Sequence, residues 1–368
     1  MSSETVILLT GVLVASASAL PGCFLLLRKM AMMSDAISHA ILPGLVAGYF
    51  LARGPNLLAG FLGAAAAAAL TVALVEGLQN TRRVAGGAAI GIIFPAMFAL
   101  GTVLVSKFFA NVHLDEHAIL YGNIEFAPFD TLIVGGYDLG PQSLWIMGLL
   151  CLLNLAFITL FYKELKLATF DPGLAAALGF SPVLLHYALM GVLSITAVGA
   201  FTAVGAILVV ALIIIPAATA YLLTERLPVM IGLSVLVGSA AAAMGYGLAV
   251  ALDASIAGAM ATMAGGLFGV ALLFAPAQGL LARVRRLRRQ RERFAVEMLL
   301  VHLFTHEGTA QQASESAVAH LGEELRWEAR FADDTVRRAT RGGLIADANG
   351  HLALTDAGRG VARHVTAR

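Results

Sequence analysis

Ala203–Leu223 reads AVGAILVVALIIIPAATAYLL, an unbroken apolar run without a single charge. A helix of about 20 such residues crosses the ~30 Å hydrocarbon core of a bilayer. Working outward, comparable runs lie near 5–27, 36–52, 56–78, 86–106, 143–162, 183–201, 229–251 and 254–280. That makes nine candidate spans. Hydropathy is continuous from Tyr187 to Leu223, however, and Gly199, Gly205 and Pro216 interrupt it, so a broken helix there would reduce the count to eight. The expected fold is an all-α polytopic membrane protein with eight or nine transmembrane helices.

The composition fits that reading. Hydrophobic residues make up 59% of the 368 and charged residues 13%, and the mean hydropathy is +0.85. A soluble domain carries about a quarter charged residues. The charges also gather in the last stretch, so the net charge of +1 averages two unlike regions and identifies no partner. Residues 1–281 read as a membrane domain, 282–293 as a basic linker helix, and 294–368 as a small soluble domain. Arg28-Lys29, Arg82-Arg83, Lys163 with Lys166, Arg226 and the Arg283–Arg293 run follow the first, third, fifth, seventh and ninth spans. Basic residues mark the cytoplasmic side. Nine spans therefore place the N-terminus outside and the C-terminus inside, against single dissenting charges at Arg53 and Lys107. Cys23 and Cys151 sit in apolar runs and read as small packed hydrophobes.

The stretch that carries chemistry is Ser34–Gly44, SDAISHAILPG. On a helix, Asp35 and His39 share one face, one turn apart. Carboxylate and imidazole together suit Mn, Fe and Zn. Two ligands do not close a site, so the spacing equally allows Asp35 as an interfacial cap and His39 as a hydrogen-bonding bundle residue. A second copy across a two-fold axis would bring the ligands to four. Pro43-Gly44 could bend the helix beyond. Glu76 and Asp253 fall near span ends and read as interfacial, and His186 as facing the cytoplasmic boundary or the bundle.

Two loops stand out. The outer one, 107–142, carries His113, Asp115, Glu116 and His117 and reads as a solvated polar loop that could gather cations. The inner one, Lys163–Pro182, contains Asp171-Pro172, a helix-opening pair, and Gly179, a helix closer. A short amphipathic helix between two spans could dock a soluble partner. No G-x-x-x-x-G-K-[ST] phosphate loop occurs, so the chain is not expected to hydrolyse ATP itself.

Arg28–Phe50, RKMAMMSDAISHAILPGLVAGYF, resembles the signature of the ABC-3 family of metal permeases, with Ser34 where Gly is usual. ILYGNI (119–124), FDPGLAAALGFSP (170–182), Ala203–Leu223 and LFAPAQGLL (273–281) resemble further family elements in the same order. The resemblance implies a type II ABC importer permease moving Mn, Zn or Fe(II), not an enzyme, in a bacterial inner membrane. It places Asp35 and His39 on the metal path. It places Asp171, Pro172, Gly173, Ala176, Leu178, Gly179, Phe180 and Ser181 on the coupling helix that meets the ATPase. Implied partners are cytoplasmic ABC ATPases, an extracytoplasmic metal-binding protein, a second permease copy or paralogue, and membrane lipid. The metal is substrate, and no permanently bound cofactor is expected. A permease for a metal chelate of siderophore or vitamin B12 type shares the architecture and is the alternative.

In the tail, VEMLLVHLF (296–304), ESAVAHLGEEL (315–325) and ADDTVRRATRGGLI (332–345, with Asp333 as a cap) read as helices. ADANGHLALT (346–355) reads as a hairpin turning at Asn349-Gly350, and DAGRGVARHV (356–365) as a last helix. That order resembles a winged helix, similar to the N-terminal domain of DtxR-type repressors, and makes a membrane-tethered transcription regulator a further alternative. Acidic residues outnumber basic ones in 294–368, so a nucleic-acid partner is not expected and a protein contact is preferred. His302, His306 and Glu307 offer metal-binding side chains without a visible ligand cluster.

Overall fold

The computed structural model describes residues 1–52, 57–81, 83–108, 122, 124–134, 137–321, 325–348 and 350–367. It forms two compact units, Met1–Gly279 and Leu280–Arg368.

The first unit is helical. It comprises α1 (Ser3–Leu27), α2 (Met32–Ala52), α3 (Leu57–Asn80), α4 (Gly86–Phe108), α5 (Gln142–Leu160), α6 (Tyr162–Phe170), α7 (Pro172–Ala177), α8 (Pro182–Leu223), α9 (Leu227–Leu252) and α10 (Ile256–Phe274). Eight of these, all but α6 and α7, are long and apolar enough to cross a membrane. A two-stranded hairpin, β1 (Thr131–Val134) with β2 (Tyr137–Pro141), precedes α5. The sequence reading did not anticipate it, because strands this short carry almost no periodicity.

α1 lies at the centre of the bundle. It is buried almost continuously from Val14 to Leu25, on every side, as a helix surrounded by others must be. It ends in a Schellman turn. Lys29 stands in the left-handed region (φ 60), its N–H donates to Leu26 (2.9 Å), and that of Met30 donates to Leu25 (3.0 Å). The turn satisfies the orphan carbonyls of α1 and sends the chain straight into α2.

The continuous apolar stretch from Tyr187 to Leu223 falls within one element, α8, a single one of the eight apolar helices. Its 42 residues would measure roughly 63 Å if straight, about twice the hydrocarbon thickness. The helix is not straight: Gly205 has φ 78 and ψ 167, a conformation reserved for glycine. The two arms run in opposite directions along α1. On the first arm, His186 bonds Arg28, and Thr196 shares Asn154 with Ala17. On the second arm, Ile213 lies against Gly22, and Tyr221 shares a cavity with Leu27. So both ends of α8 are at the end of the bundle where α1 finishes, and Gly205 is the vertex. Phe170, Glu225 and Gln278 line that same cavity. The segments following α1, α6, α8 and α10 thus meet at one end.

The second unit contains α11 (Leu280–His306), α12 (Gln312–Glu315), α13 (Ala329–Arg341), β3 (Ile345–Ala348), β4 (His351–Leu354) and α14 (Asp356–Thr366). The basic stretch 282–293 and VEMLLVHLF are a single helix. Leu299, Leu300, Leu303, Val336, Ile345, Leu352 and Leu354 form the core. The β3–β4 hairpin pairs Ile345 with Leu354 and Ala348 with His351; Asn349 lies outside the described residues.

Two expectations for this unit need correction. ESAVAHLGEEL is not one helix: α12 ends at Glu315 and a 3-10 turn covers Val318–His320. Ala317 is extended and bridges to His351, while the Val318 and Leu352 N–H groups bond Gly350 (3.1 Å) and Ser316 (2.8 Å). Backbone pairing with the hairpin therefore outcompetes helix propensity. Asp333 is not a cap either. α13 opens after Glu328, so Asp333 sits a turn inside, beyond reach of the free N–H groups.

Candidate metal path

Asp35 and His39 both lie on α2, one turn apart as their spacing predicts. Asp35 is in the first turn, where the helix dipole favours a carboxylate. It is half-buried, between the buried Ser34 and Ala36. The side chains of Ser38 and His39 lie outside the described residues. Met33, Ala36, Ile37, Ala40 and Ile41 form the buried stripe that locks the helix rotationally, each at most 1% exposed.

The far half of α2 is clasped by its neighbours. A Cβ on Gly44 would lie 2.1 Å from the Gly63 carbonyl oxygen, and one on Gly48 would lie 2.2 Å from that of Ala59. Such close backbone approach is how small residues associate helices in lipid. The helix continues through Pro43 to Ala52. Neighbouring α3 and α4 hold it there, with Gly101 of α4 packed on Leu42 and Pro43.

At the end where α1 finishes, a polar network joins four elements. Arg28 donates through Nε to the Thr169 hydroxyl (3.1 Å) and through Nη1 to Nδ1 of His186 (3.1 Å). An arginine has no acceptor, so Nδ1 carries the lone pair and Nε2–H donates to Glu76. Burial pushes the Arg28 guanidinium below its ordinary pKa. Glu76 and His186 are thus partners across the bundle, which their separate readings as boundary residues did not reveal. A basic residue after α1 and an acidic one near the end of α3 were the available signal, but nothing local pairs them.

The Lys163–Pro182 segment lies at this same end. Asp171 Oδ1 accepts from Leu174 N–H (2.9 Å) and Pro172 opens α7. Gly179, at φ 87, closes it, with N–H bonds to Ala176 and, through Phe180, to Ala175 (both 3.0 Å). Ser181 then caps α8 by accepting from Leu184 N–H (3.2 Å). Ala175 is buried, whereas Phe170, Leu174, Leu178 and Phe180 are 40–61% exposed. The result is a capped, rigid apolar knob.

At the opposite end, Gly122 (φ 74) sits on the α8 vertex, where a Cβ would come 2.1 Å from the Val204 carbonyl carbon. The outer-loop cluster His113, Asp115, Glu116 and His117 lies outside the described residues.

Comparison with known proteins agrees with this architecture. The family model described as "ABC 3 transport family" matches residues 5–275. The chain is 47% identical to the zinc transport system membrane protein TroD of Treponema pallidum (strain Nichols) over 97% of each chain. It is 46% identical to the manganese transport system membrane protein MntD of Bacillus subtilis (strain 168), over 80% of this chain and 99% of that one. Among solved structures, PsaBC from Streptococcus pneumoniae in complex with Fab matches with TM-score 0.64 and 30% identity, over 76% of this chain and 94% of that one. The chain belongs to the ABC 3 transport family, as a membrane permease.

Proposed function

We propose that this chain is the permease subunit of an ABC importer for a divalent metal ion, with Asp35 and His39 as ligands on the path. The observation that carries this is the Asp/His pair, one turn apart, on a helix locked by the α2–α3 glycine seam. A rigid support matters because ligands must stay where the ion passes. The relatives named for zinc and manganese transport support the choice of ion, and carboxylate plus imidazole suits Mn2+, Fe2+ and Zn2+ alike. One chain offers two ligands, so a second permease, identical or paralogous, completes the coordination. An extracytoplasmic metal-binding protein delivers the ion.

The knob formed by Asp171, Pro172, Gly173, Ala176, Leu178, Gly179, Phe180 and Ser181 docks an ATPase of the ABC type on the cytoplasmic side. Its caps transmit force without melting, and Arg28, holding Thr169, links it to α1, α3 and α8. The tail, residues 282–368, lies in the cytoplasm. The helix order and the β3–β4 hairpin support a winged helix used for protein contact. Metal accumulation in cells lacking other importers tests the reading: D35A and H39A abolish uptake while the complex with the ATPase still assembles. Wild-type uptake in both variants would overturn the assignment.

A further inference from the structure

We propose that the second unit holds a divalent-metal site of its own, built from His302, His306 and Glu315. His302 and His306 are one turn apart on α11, with ring centroids 5.0 Å apart. A spacing of four residues, just over the roughly 3.6 of one turn, places both imidazoles on one face. Glu315 ends α12, directly opposite. One ligand atom from each of the three lies within 4.8 Å of the other two.

The carboxylate is the telling group. Its Oε2 is buried without a hydrogen bond among the described residues, 3.4 Å from His302 Nε2. Its Oε1 is 3.4 Å from His320 Nε2. A buried anion left short of donors is costly, and a cation among these atoms would satisfy it. Ligands about 2.0–2.1 Å from a tetrahedral ion stand roughly 3.3–3.5 Å from each other, so the 3.4 Å from Glu315 Oε2 to His302 Nε2 is that of a coordination edge, while His320 holds the other carboxylate oxygen. Without an ion, His302 Nε2 also contacts the Glu315 carbonyl oxygen (3.2 Å), and loading exchanges that contact for the metal with the imidazole in its other tautomer. Glu307, the acidic residue beside His306, is excluded by geometry: Arg359 binds it through Nε and Nη2 (both 2.9 Å).

Two imidazoles with one carboxylate select borderline ions such as Zn2+, Fe2+ and Mn2+ over Ca2+ and Mg2+. This is the class proposed as cargo, so the site could report the ion on the side to which it is delivered. That last step rests on the proposed function; metal binding by the tail does not. The break between α12 and the 3-10 turn, which hairpin pairing imposes, brings Glu315 and His320 to the same place. A continuous helix would have carried them along one rod.

The test uses the full chain, purified in detergent, stripped with chelator and loaded with Co2+ alone, then with Zn2+ in competition. The D35A/H39A background removes the proposed ligands on the transport path. In that background one ion per chain remains, with the visible absorption of tetrahedral cobalt bound by nitrogen and oxygen. Adding Glu315→Gln weakens binding by more than the ~10–100-fold typical of an outer partner, and His306→Gln does the same with an unchanged melting temperature. No retained ion in the background chain, or equal binding in both added variants, would overturn the site. Metal uptake by the intact importer is scored separately, so failure of the tail site leaves the transport reading standing.

Discussion

Arg28 Nη1 donates to His186 Nδ1 over 3.1 Å, joining residues 158 positions apart. Because the ring's other nitrogen then donates to Glu76, the imidazole is held from both sides. The relay ties the ends of α1, α3 and α8 together, and the second Arg28 bond, to Thr169, adds the segment leading into the knob.

Removing the guanidinium should therefore loosen that end. Arg28→Ala is expected to destabilise the chain by about 1–3 kcal/mol, the cost of leaving partly buried partners unsatisfied. Arg28→Lys should recover little, since one ammonium on a flexible stem cannot replace a planar fork reaching two acceptors. Thermal melting of the purified chain measures both. Equal melting temperatures for Ala and wild type would remove the relay from the account.

The glycine seam makes a contrasting pair of predictions. Gly44→Ala forces a methyl against the Gly63 carbonyl and should cost ~1–3 kcal/mol as overpacking, with loss of metal uptake because α2 shifts. Gly77→Ala has open space around it and should be neutral or stabilising by roughly 0.5–1 kcal/mol. Identical behaviour of the two variants would show that helix contact does not set the difference.

The α8 vertex should tolerate no side chain. Gly205→Ala places an L-residue at φ 78, ψ 167, at a cost of order 1–3 kcal/mol. Gly122→Ala meets the same vertex from the loop side. Both variants are expected to lower the yield of folded chain on size-exclusion chromatography. A normal yield for G205A would mean that the hairpin forms without glycine.

For the knob, Leu178→Asp leaves both caps intact and changes only an exposed apolar group. Co-purification of the ATPase should fall sharply while the melting temperature stays put. Asp171→Ala instead removes the bond to Leu174 N–H, and should weaken coupling by fraying α7. Unimpaired co-purification of L178D would move the docking surface elsewhere.

Much of this was legible in the sequence because it is local. A span must satisfy its backbone within its own helix, so hydropathy located α1 to α5 and α8 to α10. Asp171-Pro172, Gly179 and Ser181-Pro182 act within one turn of themselves, and the structure uses each as its residue type suggests. Asp35 and His39 were legible as a pair for the same reason. Asp333 misled because a competent capping residue says nothing about whether the helix begins earlier.

The sequence by itself determined the membrane class, the side on which the basic residues gather, and the helix that carries Asp35 and His39. All three follow from interactions between a residue and its solvent, or its neighbours within a turn. Only the tertiary structure decided that α8 doubles back at Gly205, that Glu76 belongs to His186 and Arg28, and that Glu315 meets His302 and His306. These depend on which distant segments pack together, and packing brings residues within hydrogen-bond range irrespective of their separation along the chain.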